Sequence, residues 1–130
     1  MAETTGQSIL IVEDDQKVAN IMKSHLEFVG FEVHAESRGT AALTYAAEHR
    51  PALVILDIKL PDLDGNEVCK ELRKLYHRWD VPILMLTAMD APSAQLRGFA
   101  HGADAYLTKP YEARELLGTI ALLLGHTVAN

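Results

Sequence analysis

The chain has 130 residues, of which 48% are hydrophobic, a length and composition that fit one globular domain with its own core. Its one cysteine excludes an intrachain disulfide framework, and a formal charge of −6 argues against unaided binding to nucleic acid. The polar N-terminus MAETTGQ lacks the apolar core of a signal peptide, and every apolar run is too short to cross a bilayer, so we expect a cytoplasmic protein.

Short apolar runs alternate with longer stretches that have helical spacing. The predicted strands are, in chain order, Ser8–Val12, Phe31–Ala35, Leu53–Leu56, Val81–Leu86 and Ala105–Leu107. The predicted helices that follow them are Gln16–Val29, Thr40–His49, Asn66–Tyr76, Ser93–His101 and Glu112–Leu124. Strands that alternate strictly with helices pair in parallel through right-handed crossovers. The order therefore predicts an α/β fold, a doubly wound (βα)5 sandwich with a five-stranded parallel sheet in the flavodoxin-like order 2-1-3-4-5.

Polar residues follow the predicted strands at the edge where ligands bind in such sheets. The residues at these strand ends are Glu13, Asp14 and Asp15 after the first strand, Asp57 after the third, Thr87 after the fourth, and Lys109 and Pro110 after the fifth. Two carboxylates about 4 Å apart repel by roughly 4 kcal/mol at an effective dielectric near 20. Crowded acids of this kind favour a hard divalent cation with oxygen ligands, such as Mg²⁺. Asp15 directly precedes a predicted helix, so we expect it to cap that helix instead.

Four motifs occur in order along the chain: the pair Glu13-Asp14, the stretch DIKLPDLDG, the triplet LTA and the stretch YLTKP. The separations are 43 residues from Asp14 to Asp57, 30 from Asp57 to Thr87 and 22 from Thr87 to Lys109. With these motifs, the chain resembles the receiver domain of two-component response regulators, and in particular the chemotaxis-regulator-like receivers. The resemblance covers residues 8–124, and we expect residues 1–7 to be a disordered tail and residues 125–130 to be a tail or the start of a linker.

The resemblance implies a role for each matching residue. Asp57 would be the phosphoacceptor, with Thr87 and Lys109 as the other catalytic groups. Mg²⁺, or Mn²⁺ as an alternative, would be held by Glu13, Asp14, Asp57 and the backbone carbonyl of Lys59. Thr87 and Tyr106 would form the switch pair, and the Lys109–Pro110 peptide bond would be cis. Asp62 and Asp64 are predicted to be turn and helix-capping residues rather than ligands.

The resemblance also implies a phosphorylation-activated switch rather than an enzyme that acts on an external substrate. A sensor histidine kinase or a histidine phosphotransfer protein would donate the phosphoryl group to Asp57. The signal would leave through the face of the fourth helix, fifth strand and last helix, towards a downstream protein, a covalently linked output domain or a phosphorylation-dependent homodimer. Direct binding to nucleic acid or a membrane is not expected. The chain would be a stand-alone receiver or one domain of a larger regulator; the open alternative is a non-phosphorylated pseudo-receiver that acts as a protein docking module.

The last predicted helix has two different sides. Leu116, Leu117, Ile120, Leu123 and Leu124 fall within an arc of about 120° on a helical wheel and should face the sheet. The stretches GADAY and KPYEARELL resemble the DNA-binding transcription-factor branch of the family. That branch usually has basic residues on the outer side of this helix and a second aspartate where this chain has Ala105. We therefore expect a less charged partner surface at Gly118, Thr119 and Leu122.

Overall fold

A single parallel sheet lies at the centre of the molecule, in a computed structural model that describes residues 7–75, 81–87 and 102–128, with the side chains of residues 126–128 excepted. Five strands lie within the described residues: β1 (Ser8–Val12), β2 (Glu32–Glu36), β3 (Leu53–Asp57), β4 (Ile83–Thr87) and β5 (Ala105–Thr108). Their spatial order is β2-β1-β3-β4-β5, and neighbouring strands pair in parallel. The predicted architecture and strand order are therefore confirmed.

The described helices are α1 (Gln16–Phe28), α2 (Gly39–Glu48), α3 (Gly65–Leu75) and a C-terminal helix (Ala113–Val128). The predicted helix Ser93–His101 falls outside the described residues. The C-terminal helix runs to Val128 instead of ending at Leu124, because Gly125 disfavours a helix by only about 1 kcal/mol and does not by itself end one. No helix among the described residues is both long enough and apolar enough to span a bilayer.

Both ends of α1 follow the predicted chemistry. Asp15 is the N-cap, and its Oδ1 accepts hydrogen bonds from the backbone N–H groups of Lys17 at 3.0 Å and Val18 at 3.3 Å. Gly30 follows the helix with a φ of 106°, a left-handed conformation that glycine adopts without strain. Asp15 is thus confirmed as a capping residue.

The sheet has a buried cluster on each face. Side chains of α1 and the C-terminal helix pack on one face, over residues that include Ile9, Ile11 and Ile55. Side chains of α2 and α3 pack on the other face, over the alternate residues Leu10 and Leu56. Every residue of β3 is buried. Because β3 is covered on both faces, a polar side chain on this central strand can reach solvent only where the strand ends, and this end carries the site described below.

The C-terminal helix buries the predicted side. Leu116, Ile120 and Leu124 are buried in the cluster shared with α1, and Leu117 and Leu123 pack against the same cluster. Leu122 lies away from the cluster and is 62% exposed. The helical-wheel prediction for this element is therefore confirmed, and Leu122 contributes a large apolar side chain to the surface.

Candidate functional site

Four strand ends bring the predicted site residues to one edge of the sheet. Asp57 and Thr87 are the last residues of β3 and β4, so each strand extends one residue further than predicted. The backbone N–H of Lys109 donates to the carbonyl of Thr87 at 2.7 Å, which continues the pairing of β4 and β5 beyond Thr108. The backbone N–H of Glu13 donates to the carbonyl of Glu36 at 3.0 Å, beyond the last residue pair of β1 and β2. Regular backbone hydrogen bonding between neighbouring strands thus continues up to the site residues.

Three carboxylates converge at this edge. One oxygen each of Glu13, Asp14 and Asp57 lies within 4.8 Å of the others. Glu13 is 2% exposed and Asp57 is 6% exposed, whereas Asp14 is exposed to solvent. The pKa of the Glu13 carboxyl is raised to about 7, chiefly by burial and also by the neighbouring Asp57, while the hydrogen bond from Lys109 acts in the opposite direction. The cluster is therefore a place where negative charge is costly without a cation.

Lys109 lies against the two buried acids. Its Nζ donates to Glu13 Oε1 at 2.9 Å and to Asp57 Oδ2 at 3.1 Å. Burial alone would lower the pKa of Lys109, but the hydrogen bonds to Glu13 and Asp57 outweigh it, and the pKa is raised. The ammonium group therefore stays charged at neutral pH and partly offsets the two carboxylates.

The donor set fits Mg²⁺ in its chemistry. Glu13, Asp14 and Asp57 supply only oxygen atoms, and carboxylate oxygens are the ligands that hard divalent cations prefer. Lys59 lies in the loop that follows Asp57, and its backbone N–H donates to Asp57 Oδ1 at 3.3 Å. The part that the Lys59 carbonyl plays as a ligand stays a prediction.

The two predicted switch residues lie on the sheet face that α2 and α3 cover. Tyr106 is half-buried and packs against the cluster of that face, and its register partner is Met85. Thr87 lies two residues after Met85, so its side chain is on the same face, and it is 3% exposed. Thr87 is thus on β4, the strand next to that of Asp57, and Tyr106 is on β5, one strand further away. The switching role of both residues stays a prediction.

A cavity of about 510 Å³ lies beside the acidic cluster, between α1 and the segment that follows β5. Its lining residues are Val18, Ile21, His25, Lys109, Pro110, Tyr111 and Ala113. The Lys109–Pro110 peptide bond in its wall is cis, as expected from the resemblance. Burial raises the pKa of the Tyr111 hydroxyl. Neither Tyr111 nor His25 is predicted from the sequence as a lining residue, because such a residue carries no motif of its own.

The acids that were predicted to shape the loop after Asp57 do so, with partners that the sequence did not identify. Asp64 Oδ1 accepts from the backbone N–H of Asn66 at 2.7 Å and so caps α3. Asp62 caps α2 instead, since its carboxylate accepts from the backbone N–H groups of Gly39 and Thr40. Both residues are thus confirmed as capping residues.

The comparisons with known proteins agree with this geometry. Residues 9–121 match the family described as the response regulator receiver domain. The chain belongs to this receiver domain family. The receiver is 38% identical over 119 residues to the "DNA-binding dual master transcriptional regulator RpaA" of Synechocystis sp.. It is 43% identical over 119 residues to "Response regulator MprA" of Mycobacterium sp. (strain KMS). These matches cover 92% of this chain but 49% and 51% of the relatives, so the receiver spans about half the length of the curated relatives it matches.

Solved structures support the same assignment. A putative response regulator from Chloroflexus aurantiacus superposes on the receiver with a TM-score of 0.85 at 37% identity, covering 92% of this chain and 98% of that one. A CheY-like receiver domain protein from Methanospirillum hungatei gives a TM-score of 0.87 at 32% identity, covering 92% and 94%. The predicted resemblance to two-component receivers of the chemotaxis-regulator type is therefore confirmed.

Proposed function

We propose that this receiver is a phosphorylation-activated signalling switch that accepts a phosphoryl group on Asp57. The observation that carries the proposal is the contact of Lys109 Nζ with both Glu13 and Asp57, at 2.9 and 3.1 Å, beside the exposed carboxylate of Asp14. This arrangement combines a buried nucleophilic carboxylate, a fixed ammonium group and further oxygen ligands at one strand edge.

The phosphoryl donor in this proposal is the phosphohistidine of a sensor histidine kinase or a histidine phosphotransfer protein. An Asp57 carboxylate oxygen forms the new O–P bond as the P–N bond of the donor breaks, and the released imidazole nitrogen takes up a proton from solvent. Lys109 moves its hydrogen bond from Asp57 to the phosphoryl oxygens, where it offsets their negative charge. Thr87, on the adjacent strand, then donates a hydrogen bond from its hydroxyl to the phosphoryl group. Tyr106 turns inward as Thr87 moves.

Mg²⁺, or Mn²⁺ in its place, supplies charge neutralisation and a template for the phosphoryl oxygens when it is bound. Glu13, Asp14, Asp57 and the Lys59 carbonyl are the groups that would hold it. The receiver catalyses its own phosphorylation and slow hydrolysis but acts on no external substrate. Membership of the receiver family supports a cytoplasmic location for this chemistry.

The output of the switch passes through the face formed by the predicted fourth helix, β5 and the C-terminal helix. Leu122 is 62% exposed on this helix, and Gly118 is exposed one turn before it. Thr119 is half-buried, and its hydroxyl donates to the carbonyl of Glu115 at 2.8 Å. This apolar surface fits a downstream protein, a covalently linked output domain or a second receiver in a phosphorylation-dependent homodimer.

Incubation with acetyl phosphate and Mg²⁺, followed by intact-mass measurement, tests the function. The wild-type chain should gain one phosphoryl group, and Asp57→Asn should gain none. Asp64→Asn is the matched control in the same loop, because asparagine also caps a helix, and it should still be phosphorylated. A wild-type chain that gains no phosphoryl group contradicts the proposal and leaves the docking-module alternative.

A further inference from the structure

The loop of residues 58–64, which joins Asp57 to α3, is closed tightly at its base. The backbone N–H of Gly65 donates to the carbonyl of Ile58 at 2.7 Å. Lys59 and Asp64 form an antiparallel bridge one residue further out. The backbone N–H of Lys59 also contacts Asp57 Oδ1 at 3.3 Å. The conformation of Lys59 is therefore tied both to the phosphoacceptor and to the course of this loop.

Asp62 fastens the tip of the same loop to a different helix. Its Oδ1 accepts from the backbone N–H of Gly39 at 2.8 Å, and its Oδ2 accepts from the backbone N–H and the hydroxyl of Thr40 at 3.0 and 2.8 Å. The N-cap residue of α2, Arg38, makes no capping bond with its own side chain. Asp62 thus satisfies the first N–H groups of α2 from 22 and 23 positions away in the chain.

The residues around the contact between Asp62 and the start of α2 are closely packed. A Cβ placed on Gly39 would lie 2.7 Å from Val68 Cγ2 and 3.2 Å from the Leu63 side chain. A Cβ placed on Gly65 would meet the Asp57 carbonyl oxygen and would lie 2.6 Å from Ile58 Cα. Since the start of α2, the loop and the start of α3 are packed this closely, a displacement of the loop tip must be taken up within residues 58–64.

We propose that Asp62 is a positioning residue for the phosphorylation site. Asp62 holds the loop of residues 58–64 so that Lys59 presents its backbone carbonyl towards the acidic cluster. This inference rests on the proposed function, because it assigns a support to the predicted metal ligand Lys59. Asp62 touches neither the metal nor the phosphoryl group in this role. Its three hydrogen bonds act through the loop, so their loss weakens metal binding without removing a ligand.

The test compares Mg²⁺ binding by isothermal titration calorimetry in the wild-type chain, Asp62→Ala, Asp62→Asn and Thr40→Val. We expect the Kd for Mg²⁺ to rise by about tenfold in Asp62→Ala, the lower end of the range for residues that orient metal ligands. Asp62→Asn and Thr40→Val keep part of the contact between the loop and the start of α2, so they should raise the Kd for Mg²⁺ by less. In the absence of metal, hydrogen exchange at the amides of Gly39, Thr40 and Lys59 should be faster in Asp62→Ala than in the wild-type chain.

A general loss of stability must be separated from this effect. Ile120→Val removes a buried methyl group in the C-terminal helix, on the sheet face opposite α2 and α3, and serves as the destabilised control. Asp62→Ala should weaken Mg²⁺ binding, whereas Ile120→Val should leave it unchanged even with an equal drop in melting temperature. An unchanged Kd in Asp62→Ala, or unchanged exchange at Lys59, overturns the proposal for Asp62 alone. A wild-type chain that binds no Mg²⁺ overturns the proposed metal site as well, so the two failures are distinguishable.

Discussion

The ammonium group of Lys109 lies 3.1 Å from Asp57 Oδ2, although the two residues are 52 positions apart in the chain. The same group lies 2.9 Å from Glu13 Oε1, so one cation serves two buried carboxylates from two different strand ends. The side chain of Lys109 is 22% exposed, against 1% for Glu13 and 8% for Asp57. A positive charge at this position has opposite consequences for the two groups that the proposed function brings together, because it repels the Mg²⁺ cation and attracts the anionic phosphoryl group.

Replacing Lys109 with methionine should therefore strengthen Mg²⁺ binding and weaken phosphorylation. Removal of the ammonium group leaves the acids with an unopposed negative charge that attracts the metal. The same change removes a donor to the developing phosphoryl charge, which should slow phosphorylation by acetyl phosphate about 100-fold. Titration calorimetry and intact-mass kinetics measure the two effects, with the exposed Lys17→Met as control. Weaker Mg²⁺ binding in Lys109→Met would contradict the assigned role.

The backbone at Gly65 should tolerate no side chain. Because a Cβ there would meet the Asp57 carbonyl oxygen and Ile58 Cα, both of them backbone atoms, Gly65→Ala should lower the free energy of unfolding by about 1–3 kcal/mol. Gly118→Ala is the matched control, because a Cβ there would meet no atom within 4 Å apart from its own stretch of helix, and it should raise the free energy of unfolding by about 0.5–1 kcal/mol. Urea denaturation measures both changes. Equal effects of the two substitutions would contradict the tight packing at Gly65.

The proposed support by Asp62 has a defined pH dependence. Hydrogen bonds from Thr40 and Gly39 hold the pKa of Asp62 at about 2, below its ordinary value of 3.8. A lowered folded-state pKa means that Asp62 stabilises the fold fully above pH 3.8 and that this contribution is lost as the pH falls through about 2. The difference in urea midpoint between the wild-type chain and Asp62→Asn should therefore be constant from pH 5 to 7 and shrink below about pH 4. A difference that is independent of pH down to about pH 2 would argue against the capping contact.

The sequence was sufficient to predict the sheet and the convergence of the site residues. Alternation of apolar runs with helical segments leaves few arrangements of the chain, and parallel strands necessarily bring Asp57, Thr87 and Lys109 to one edge. Side-chain partners across the fold were not predictable in this way. The pairing of Asp62 with the start of α2 depends on how closely two loops approach, and nothing in the residues near Asp62 specifies Gly39 as its partner. The same holds for Arg73 and Asp104, which are 31 positions apart.

Arg73 should stabilise the fold without affecting the site. Its guanidinium group donates to the carbonyls of Gly102 and Val81 at 2.9 and 2.7 Å and to Asp104 Oδ2 at 2.5 Å. Asp104 Oδ2 also accepts from the backbone N–H of Ile83 at 2.8 Å, at the edge of the sheet opposite to Asp57. Arg73→Met leaves this largely buried carboxylate without its cation and should lower the free energy of unfolding by about 3 kcal/mol.

Lys74→Met is the control for that substitution. The Lys74–Glu71 pair is exposed, with side-chain exposures of 63% and 43%, and should contribute less than about 1 kcal/mol. The Kd for Mg²⁺ should be unchanged in both variants. An effect of Arg73→Met on metal binding would mean that the two edges of the sheet are coupled.

The surface at Leu122 should separate signalling from stability. Leu122 is 62% exposed, so Leu122→Glu should change the free energy of unfolding by less than about 0.5 kcal/mol. Leu116 in the same helix is fully buried, and Leu116→Ala should cost about 2–5 kcal/mol. Phosphorylation of Asp57 should be normal in Leu122→Glu, because the substitution touches no site residue. Self-association of the phosphorylated chain, followed by analytical ultracentrifugation, and binding of a partner should both weaken, since a buried carboxylate opposes an apolar interface. If Leu122→Glu changes neither, the output surface lies elsewhere on the receiver.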